Sequence, residues 1–191
     1  LLSDCLGADI PGKVPSESSL TPVFPDIFKK YEGRQVFITT ISSNISRMRQ
    51  IVDAAIGANR RVVLLGRSII NKAGVARKLG YLPDDDTVYI NRKEAARYDQ
   101  ASLVYIIGGC FGQVGSSLDR LAKKEMKDTQ AESNAVVVFS AEPAPPGVGV
   151  DVERVLHDLA IQDLTLLYPA MGLHLHVSGH GHQDDLRQIA E

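Results

Sequence analysis

Four of the five histidines of this chain lie within ten consecutive residues near its end. The pattern predicts a strand over Leu173–Val177, a Ser-Gly turn, and a last helix that begins at Gln183. Because alternate side chains of a strand share a face, His174 and His176 are predicted to point the same way. His180 is predicted to lie at the helix N-terminus, where backbone N–H groups favour an anion. Imidazoles beside such a site suit a phosphate ligand, a proton transfer or a metal ion.

Three interpretations of this histidine tract stay open at the level of sequence. Single histidines are most often structural. His-rich tracts also bind zinc, but this tract lacks the aspartate of the H-x-H-x-D-H pattern found in metallo-hydrolases. The third interpretation is a phosphate-binding and proton-transferring site.

Composition predicts a globular chain with a single core. A length of 191 residues favours one domain. Hydrophobic residues make up 44% of the chain and charged residues 23%, which is ordinary for a globular protein. No apolar run has the length of a membrane span and no signal peptide is recognised, so no membrane association is expected. Two cysteines, Cys5 and Cys110, do not form a disulfide framework, which favours a reducing compartment, the cytoplasm.

The net charge of −2 conceals a strong asymmetry along the chain. The segment Lys29–Arg97 contains 14 Lys and Arg but only 6 Asp and Glu, whereas the rest contains 7 and 17. A basic segment of this kind is typical of a protein with a phosphate-rich partner. Solvated basic helix faces would produce the same count, so charge alone leaves both readings open.

Strand and helix patterns alternate along the chain, which predicts an α/β fold: a three-layer, Rossmann-like parallel sheet with helices on both faces. Besides Leu173–Val177, strands are predicted at Gln35–Ser42, Arg61–Leu65, Thr87–Ile90, Ser102–Ile107, Ala135–Phe139 and Leu164–Tyr168. Helices are predicted at Ser46–Ala58, 67–79, Lys93–Tyr98, Val114–Met126, Asp151–Ala160 and from Gln183 onward, and a loop at Pro143–Gly147.

Ligands of parallel sheets bind at the carboxyl ends of the strands, so the residues that follow each predicted strand are candidates for a site. These residues are mostly glycines, small polar side chains and arginines, a composition that favours an anionic ligand. They are Ser43, Asn44, Arg47, Gly66, Arg67, Ser68, Gly109, Cys110, Phe111, Gly112, Gln113, Ser140, Ser178, Gly179 and His180. A G-x-G-x-x-G dinucleotide fingerprint is absent from the sequence.

Five motifs, in order along the chain, resemble the β-CASP region of ribonuclease J-type nucleases. Leu2-Ser3-Asp4 with Gly12 and Ser16-Glu17 resembles the opening "SD…G…SE", and Ser42–Arg47 resembles "ASNIxR". Gly66-Arg67-Ser68-Ile69 resembles "GRSM", and Gly109–Gln113 with Leu118 and Arg120-Leu121-Ala122 resembles "GCQGE…LxRxA". His176–His180 followed by Gln183–Leu186 resembles "HxSGH…EDL". Together the motifs cover almost the whole chain.

The resemblance implies part of a metal-dependent nuclease that cuts RNA by 5′-to-3′ exonuclease or endonuclease action. In that family a β-CASP domain is inserted into a metallo-β-lactamase core, and RNA runs between the two. Residues 1–25 would then be an irregular segment leading from the core of the same polypeptide, and residues 26–191 the β-CASP domain. Two zinc ions, or other divalent metals, are expected in the full-length enzyme and none in this chain. The fragment alone is therefore expected to be inactive, and the full-length enzyme is expected to form a homo-oligomer.

The resemblance also implies residue roles. Asp4 and His180 match catalytic residues: the carboxylate supports the histidine, which contacts the scissile phosphate and protonates the leaving oxygen. This requires Asp4 and His180 to meet on one edge of the domain, near Ser43 and Arg47. Together with the strand-end pattern, the resemblance predicts contacts to RNA phosphates from His176, Ser178, Ser43, Asn44, Arg47, Arg67 and Ser68.

The sequence departs from the family at several positions. Phe111 stands where the family usually has Gln, and Gln113 where it has Glu. Asp4 is followed by Cys-Leu-Gly instead of Ser-Thr-Asn. These departures predict a divergent specificity. Two other functions remain alternatives: a stand-alone binding domain for a nucleotide or sugar phosphate, and a small-molecule hydrolase that uses Ser178 or Cys110.

Overall fold

A computed structural model describes residues 2–141 and 149–191; the predicted loop at Pro143–Gly147 lies outside this part of the chain. The described residues form one sheet of six strands: β1 (Val36–Thr40), β2 (Arg61–Leu65), β3 (Tyr89–Ile90), β4 (Leu103–Ile107), β5 (Val136–Ser140) and β6 (Thr165–Leu167). Every pair of neighbouring strands is parallel, in the order β3-β2-β4-β1-β5-β6. The predicted parallel α/β sheet is confirmed.

Helices cover both faces of the sheet. They are α1 (Val23–Lys30), α2 (Ile45–Gly57), α3 (Arg67–Lys78), α4 (Ser117–Ala122), α5 (Gly149–Ala160) and α6 (Gln183–Ala190). One apolar cluster joins α1, α2 and α3 to one face of the sheet, and a second cluster joins α4 and α5 to the other face. No helix among the described residues is long and apolar enough to cross a membrane.

The central strands are apolar on both sides because both faces of the sheet are covered. In β1, Val36 and Ile38 pack against α1–α3, whereas Phe37 faces α4 and α5. Phe37 stacks on Tyr105 of β4, with ring centroids 4.6 Å apart. The continuous apolar runs of the sequence are therefore the strands of a buried parallel sheet.

The chain leaves the neighbouring strands β1 and β4 in opposite directions. After β1 it passes through α2 on one face of the sheet, and after β4 it passes through α4 on the other. Where neighbouring parallel strands diverge in this way, a crevice opens at their carboxyl ends. The topology therefore places a binding crevice between the loops that follow β1 and β4.

The segment before β1 is more ordered than the sequence predicts. A 3-10 turn covers Glu17–Leu20, and α1 begins at Val23. Leu20 and Phe24 are fully buried in the first apolar cluster. Pro25 lies in the first turn of α1, where the missing N–H removes no intrahelical bond. A proline-rich sequence thus predicts an irregular segment up to residue 25, whereas the structure has a helix that begins at Val23.

The predicted strand over Leu173–Val177 is wrong. Leu175 and Val177 are buried, as the alternating pattern predicts, but the segment has no strand partner in the described residues. Its backbone bonds to a side chain instead: the Ser140 hydroxyl donates to the Leu175 carbonyl at 2.8 Å. The segment thus lies against the carboxyl end of β5 without extending the sheet.

Two predicted helices are shorter than expected. Only a 3-10 turn, Ala95–Arg97, forms within the predicted helix Lys93–Tyr98. The predicted helix Val114–Met126 is reduced to α4, because the Ser116 hydroxyl accepts the Asp119 N–H at 3.2 Å and caps the helix there.

Candidate nucleic-acid interface

Asp4 and His180 meet, although 176 positions separate them in the sequence. Asp4 Oδ2 and His180 Nδ1 are 2.5 Å apart. The other carboxylate oxygen accepts the Leu6 N–H at 3.0 Å. Both side chains remain accessible, with 54% of Asp4 and 42% of His180 exposed. The predicted proximity of these two residues is confirmed.

Backbone pairing between the two ends of the chain holds this contact in place. Gly7 and His182 form a parallel β-bridge. The first two N–H groups of α6 donate to the carbonyls of Ile10 and Gly12, both at 3.0 Å. A Cβ at Gly7 would lie 2.5 Å from the Gly181 carbonyl oxygen, so only glycine allows this approach. The first residues of the chain are therefore fixed against the start of α6.

The predicted anion site at the N-terminus of the last helix is wrong, because its N–H groups are already used. The Asp185 carboxylate also accepts the N–H groups of Val14 at 2.9 Å and His182 at 3.1 Å. These bonds, the one from Val14 foremost, lower the pKa of Asp185. A negative carboxylate at this helix end repels a phosphate.

The Asp4–His180 pair can hold a proton in a defined position. The hydrogen bond from His180, followed by that from the Leu6 N–H, lowers the pKa of Asp4. An ionised carboxylate only accepts hydrogen bonds, so Nδ1 of His180 must donate. In a neutral ring Nε2 is then the basic atom, and in a charged ring Nε2 carries the second proton.

His176 lies in a different environment from His180. Burial, aided by the positive charge of Arg47 and opposed by Glu17, lowers the pKa of His176 to about 4. His176 is therefore neutral at physiological pH. As a phosphate ligand it would act as a neutral hydrogen-bonding group and not as a cation.

Arg47 is fully buried, which argues against its predicted contact with an RNA phosphate. Its Nε and Nη2 donate to the two carboxylate oxygens of Glu17 at 2.6 and 2.8 Å. Its Nη1 donates to the backbone oxygen of Ser140 at 3.0 Å and to the Ser140 hydroxyl at 2.8 Å. The guanidinium therefore joins α2, the 3-10 turn before α1 and the end of β5.

The remaining predicted phosphate ligands fall into two groups. Ser43 after β1, and Arg67 and Ser68 in the first turn of α3, are exposed and available to a ligand. Asn44 and Ser178 have local structural bonds. Asn44 Oδ1 accepts the backbone N–H of residue 47 at 2.9 Å and caps α2, and the Ser178 hydroxyl accepts that of residue 180 at 3.1 Å.

Comparison with known proteins identifies the family of this chain. Residues 32–159 match the family model "Ribonuclease J, beta-CASP domain". The chain belongs to the ribonuclease J family, of which it carries the β-CASP domain. This membership agrees with the resemblance found in the five motifs and does not favour a stand-alone binding domain.

Relatives match this β-CASP chain over nearly its whole length. It is 34% identical to ribonuclease J of Helicobacter pylori (strain J99) over 97% of this chain and 26% of that protein. It is 32% identical to ribonuclease J of Synechocystis sp. over 99% of this chain and 29% of that protein. For ribonuclease J2 of Bacillus subtilis the identity is 30%, over 98% of this chain and 33% of that protein. The chain thus spans about a third or less of the length of these relatives.

The described residues of this ribonuclease J-type chain provide no set of metal ligands. Within 2–141 and 149–191, no three His, Cys, Asp or Glu side chains come together as a metal site. The histidines of the tract have separate surroundings: Nε2 of His174 is 2.8 Å from the Ser19 hydroxyl, whereas His180 contacts Asp4. The residues present do not fit a zinc site, and we assign no chemical step of this chain to a metal.

The surroundings of Cys110 do not favour a nucleophile. It is buried after β4, and burial raises the pKa of its thiol to about 12. A neutral thiol is a poor nucleophile. The hydrolase alternative built on Cys110 therefore finds no support.

Sequence reasoning missed the polar network that holds the loop after β4. Asp119 is buried; burial raises its pKa, but bonds from the Gly115 N–H, Arg154 and Lys123 lower it overall. Arg154 contacts Asp119 at 2.5 Å and the Gly112 carbonyl at 2.8 Å. The S-x-x-D capping pattern that ends at Asp119 could have indicated its place in α4, but no local signal indicates Arg154, 35 positions away.

We expect His176 to make the domain sensitive to acid. Its pKa of about 4 in the folded state lies below the ordinary 6.5, so between these values the unfolded chain binds more protons. Stability should fall as the pH is lowered from 6.5 to 4, by about 2 kcal/mol for this partly exposed ring. Urea unfolding at pH 7 and pH 4.5 measures the loss. The loss of unfolding free energy between the two pH values should be smaller in His176→Gln than in the unsubstituted chain, and unchanged in the exposed control His157→Gln. Equal losses in the unsubstituted chain and both variants would contradict the lowered pKa of His176.

Proposed function

We propose that this chain is the RNA-binding β-CASP domain of a metal-dependent ribonuclease. The full enzyme would hydrolyse phosphodiester bonds of RNA as a 5′-to-3′ exonuclease, an endonuclease or both. The observation that carries the proposal is the contact between Asp4 and His180 at an exposed edge. Family membership supports a ribonuclease, and the pair supplies a proton donor for phosphoester cleavage.

In the proposed reaction, the residues of this chain bind the phosphate and move a proton. Asp4 stabilises the charged form of His180 and orients its ring. Nε2 of His180 donates a proton to the leaving oxygen as the phosphodiester bond breaks. Neutral His176 and Ser178 lie on the same segment, and in this proposal both contact phosphate oxygens without adding charge.

The rest of the proposed enzyme lies outside this chain. Because the chain spans at most about a third of the relatives named above, we propose a metallo-β-lactamase core in the same polypeptide. Two zinc ions, or other divalent metals, would bind to that core and activate the attacking water. The isolated chain would then bind RNA without cleaving it. We further propose that the enzyme is cytoplasmic and forms a homo-oligomer.

Binding of single-stranded RNA by the isolated chain tests the proposal. Affinity measured by fluorescence anisotropy should decrease with salt, with a slope of about −0.7 per phosphate contact. Arg67→Ala should make the slope less steep by about 0.7, the value of one phosphate contact, because Arg67 is exposed at the start of α3. Lys78→Ala, the loss of an exposed charge at the opposite end of the same helix, is the matched control. Affinity that does not respond to salt, or that depends equally on both variants, would refute the proposed RNA-binding edge.

A further inference from the structure

A large cavity lies at one edge of the sheet, and neither Asp4 nor His180 lines it. It has a volume of about 700 Å³ and opens at the carboxyl ends of β2, β4 and β1, three neighbouring strands. This volume is within the range of about 300–1,000 Å³ that is usual for small-molecule sites. The cavity occupies the crevice that the diverging loops after β1 and β4 create.

The charge of the cavity favours an anion. Arg67, Arg92 and Arg120 line it, and no Asp or Glu is among the lining residues within 2–141 and 149–191. Arg92 is paired with Asp128 at 3.2 Å. In the described part of the chain, Arg67 has no hydrogen bond or ion pair from its side chain, and Arg120 bonds only a backbone oxygen, at 3.3 Å. Two guanidinium groups therefore keep most of their bonding capacity for a ligand.

Backbone N–H groups and a hydroxyl add hydrogen-bonding groups to the positively charged side chains of the cavity. The N-terminus of α3 faces the cavity through Gly66, Arg67 and Ser68, and no side chain caps it. Uncapped N–H groups of a first turn favour a phosphate. Thr40 also lines the cavity; it is only 1% exposed, and its hydroxyl has no hydrogen-bond partner among the described residues. A polar ligand in the cavity would satisfy this hydroxyl.

One wall of the cavity is apolar. The half-buried ring of Phe111 lines it together with the exposed side chains of Ile70 and Val114. Gly109 holds the loop that carries Phe111: its φ is +108°, and a Cβ there would collide with the Ser116 side chain. An accessible aromatic face close to cationic groups is the usual arrangement for stacking a nucleobase.

We propose that this cavity binds one ribonucleotide unit. The phosphate binds Arg67, Arg120 and the N-terminus of α3, the base stacks on Phe111, and the Thr40 hydroxyl bonds to a polar atom of the ligand. The occupant is a nucleotide within an RNA strand or a free mononucleotide, which share this chemistry. The first case rests on the proposed function.

The sheet geometry allows one RNA strand to reach both sites. The segment that leads to His180 is bonded to the end of β5 through Ser140. One strand, β1, separates β5 from β4, so the two strand ends are roughly 10 Å apart. A short stretch of single-stranded RNA spans this distance.

Titration calorimetry of the 191-residue chain with adenosine 5′-monophosphate tests whether the cavity binds a nucleotide. Phe111→Leu should weaken binding about tenfold, because it keeps apolar volume but removes the stacking ring. Thr40→Val should weaken binding several-fold, because it removes only the hydroxyl. Tyr81→Leu, the loss of an exposed aromatic ring at the far end of α3, should leave affinity unchanged. Adenosine without phosphate should bind more weakly, and inorganic phosphate should compete.

A second titration with single-stranded RNA identifies the occupant. If adenosine 5′-monophosphate displaces the RNA and Phe111→Leu weakens RNA binding, the cavity holds a nucleotide of the strand. If adenosine 5′-monophosphate binds but does not displace RNA, and Phe111→Leu does not change RNA affinity, the cavity holds a free mononucleotide.

The same titrations separate the failure of this inference from that of the proposed function. If Phe111→Leu, which acts on a surface loop and does not threaten folding, alters neither affinity, the inference is overturned. The proposed RNA function survives that result provided that Arg67→Ala still lowers the salt slope. Binding of the mononucleotide without any RNA binding would refute the proposed function and leave the cavity as a mononucleotide site.

Discussion

Arg47→Ala is expected to lower the free energy of unfolding by about 3 kcal/mol, because it breaks a buried ion pair. The guanidinium is fully buried and donates to both carboxylate oxygens of Glu17 and to Ser140. Without it, the Glu17 carboxylate stays partly buried without its cation, and the Ser140 carbonyl loses a donor. The truncated side chain also leaves a void beneath the 3-10 turn.

Arg49→Ala is the matched control for this prediction. Arg49 lies two residues further along α2 and forms an exposed ion pair with Asp53. Its loss should change stability by no more than about 0.5 kcal/mol. Urea unfolding of the two variants compares a buried with an exposed arginine on one helix. Similar losses in both would show that the buried contacts of Arg47 do not stabilise the fold.

Arg47 also shows where sequence reasoning succeeds and where it stops. Its motif identified it as a candidate phosphate ligand, whereas the folded chain buries it completely. Its partners, Glu17 and Ser140, lie 30 and 93 positions away. Periodicity places a residue on a helix face, but it contains no information on which distant polar group meets that face. The buried role of Arg47 therefore became visible only in the folded chain.

The sheet was predictable because burial on both faces leaves continuous apolar runs in the sequence. Val36–Thr40, Leu103–Ile107 and Val136–Ser140 are all fully buried strands, and their parallel arrangement followed from the helices between them. The same logic misread residues 173–177, where alternate burial occurs without strand pairing. Apolar alternation reports which side chains are buried, whereas strand formation also requires a free neighbouring edge.

The Asp4–His180 contact was predictable only through the family resemblance. No local pattern joins two residues at opposite ends of a chain, and the contact depends on the bridge between Gly7 and His182. Conversely, the cavity above β2, β4 and β1 could be anticipated in part, since Arg67, Ser68 and Phe111 all follow predicted strands. The unpartnered hydroxyl of Thr40 could not be anticipated, because only the packing of the folded chain shows that it is buried without a hydrogen-bond partner among the described residues.

His180→Ala is expected to reduce RNA hydrolysis by about 10²–10³-fold in a polypeptide that joins this chain to the proposed metallo-β-lactamase core. General acid catalysis typically contributes about 10²–10⁴-fold, and the variant removes the ring whose Nε2 donates the proton in the proposed reaction. The bound metal, measured by elemental analysis, should be unchanged, because His180 contacts Asp4 and no metal-ligand cluster exists among the described residues. Loss of metal in the variant would instead make His180 a ligand and overturn its proposed role.

His174→Ala is the matched control, because it removes an exposed imidazole of the same tract whose Nε2 bonds the Ser19 hydroxyl and not Asp4. It should leave turnover within about twofold, since no proton transfer depends on it. Asp4→Asn keeps an acceptor for Nδ1 but removes the negative charge that stabilises a protonated ring. If His180 is the acid, Asp4→Asn should therefore shift the alkaline limb of the pH–rate profile to lower pH. A profile that does not move would show that the carboxylate only positions the ring and does not tune its proton.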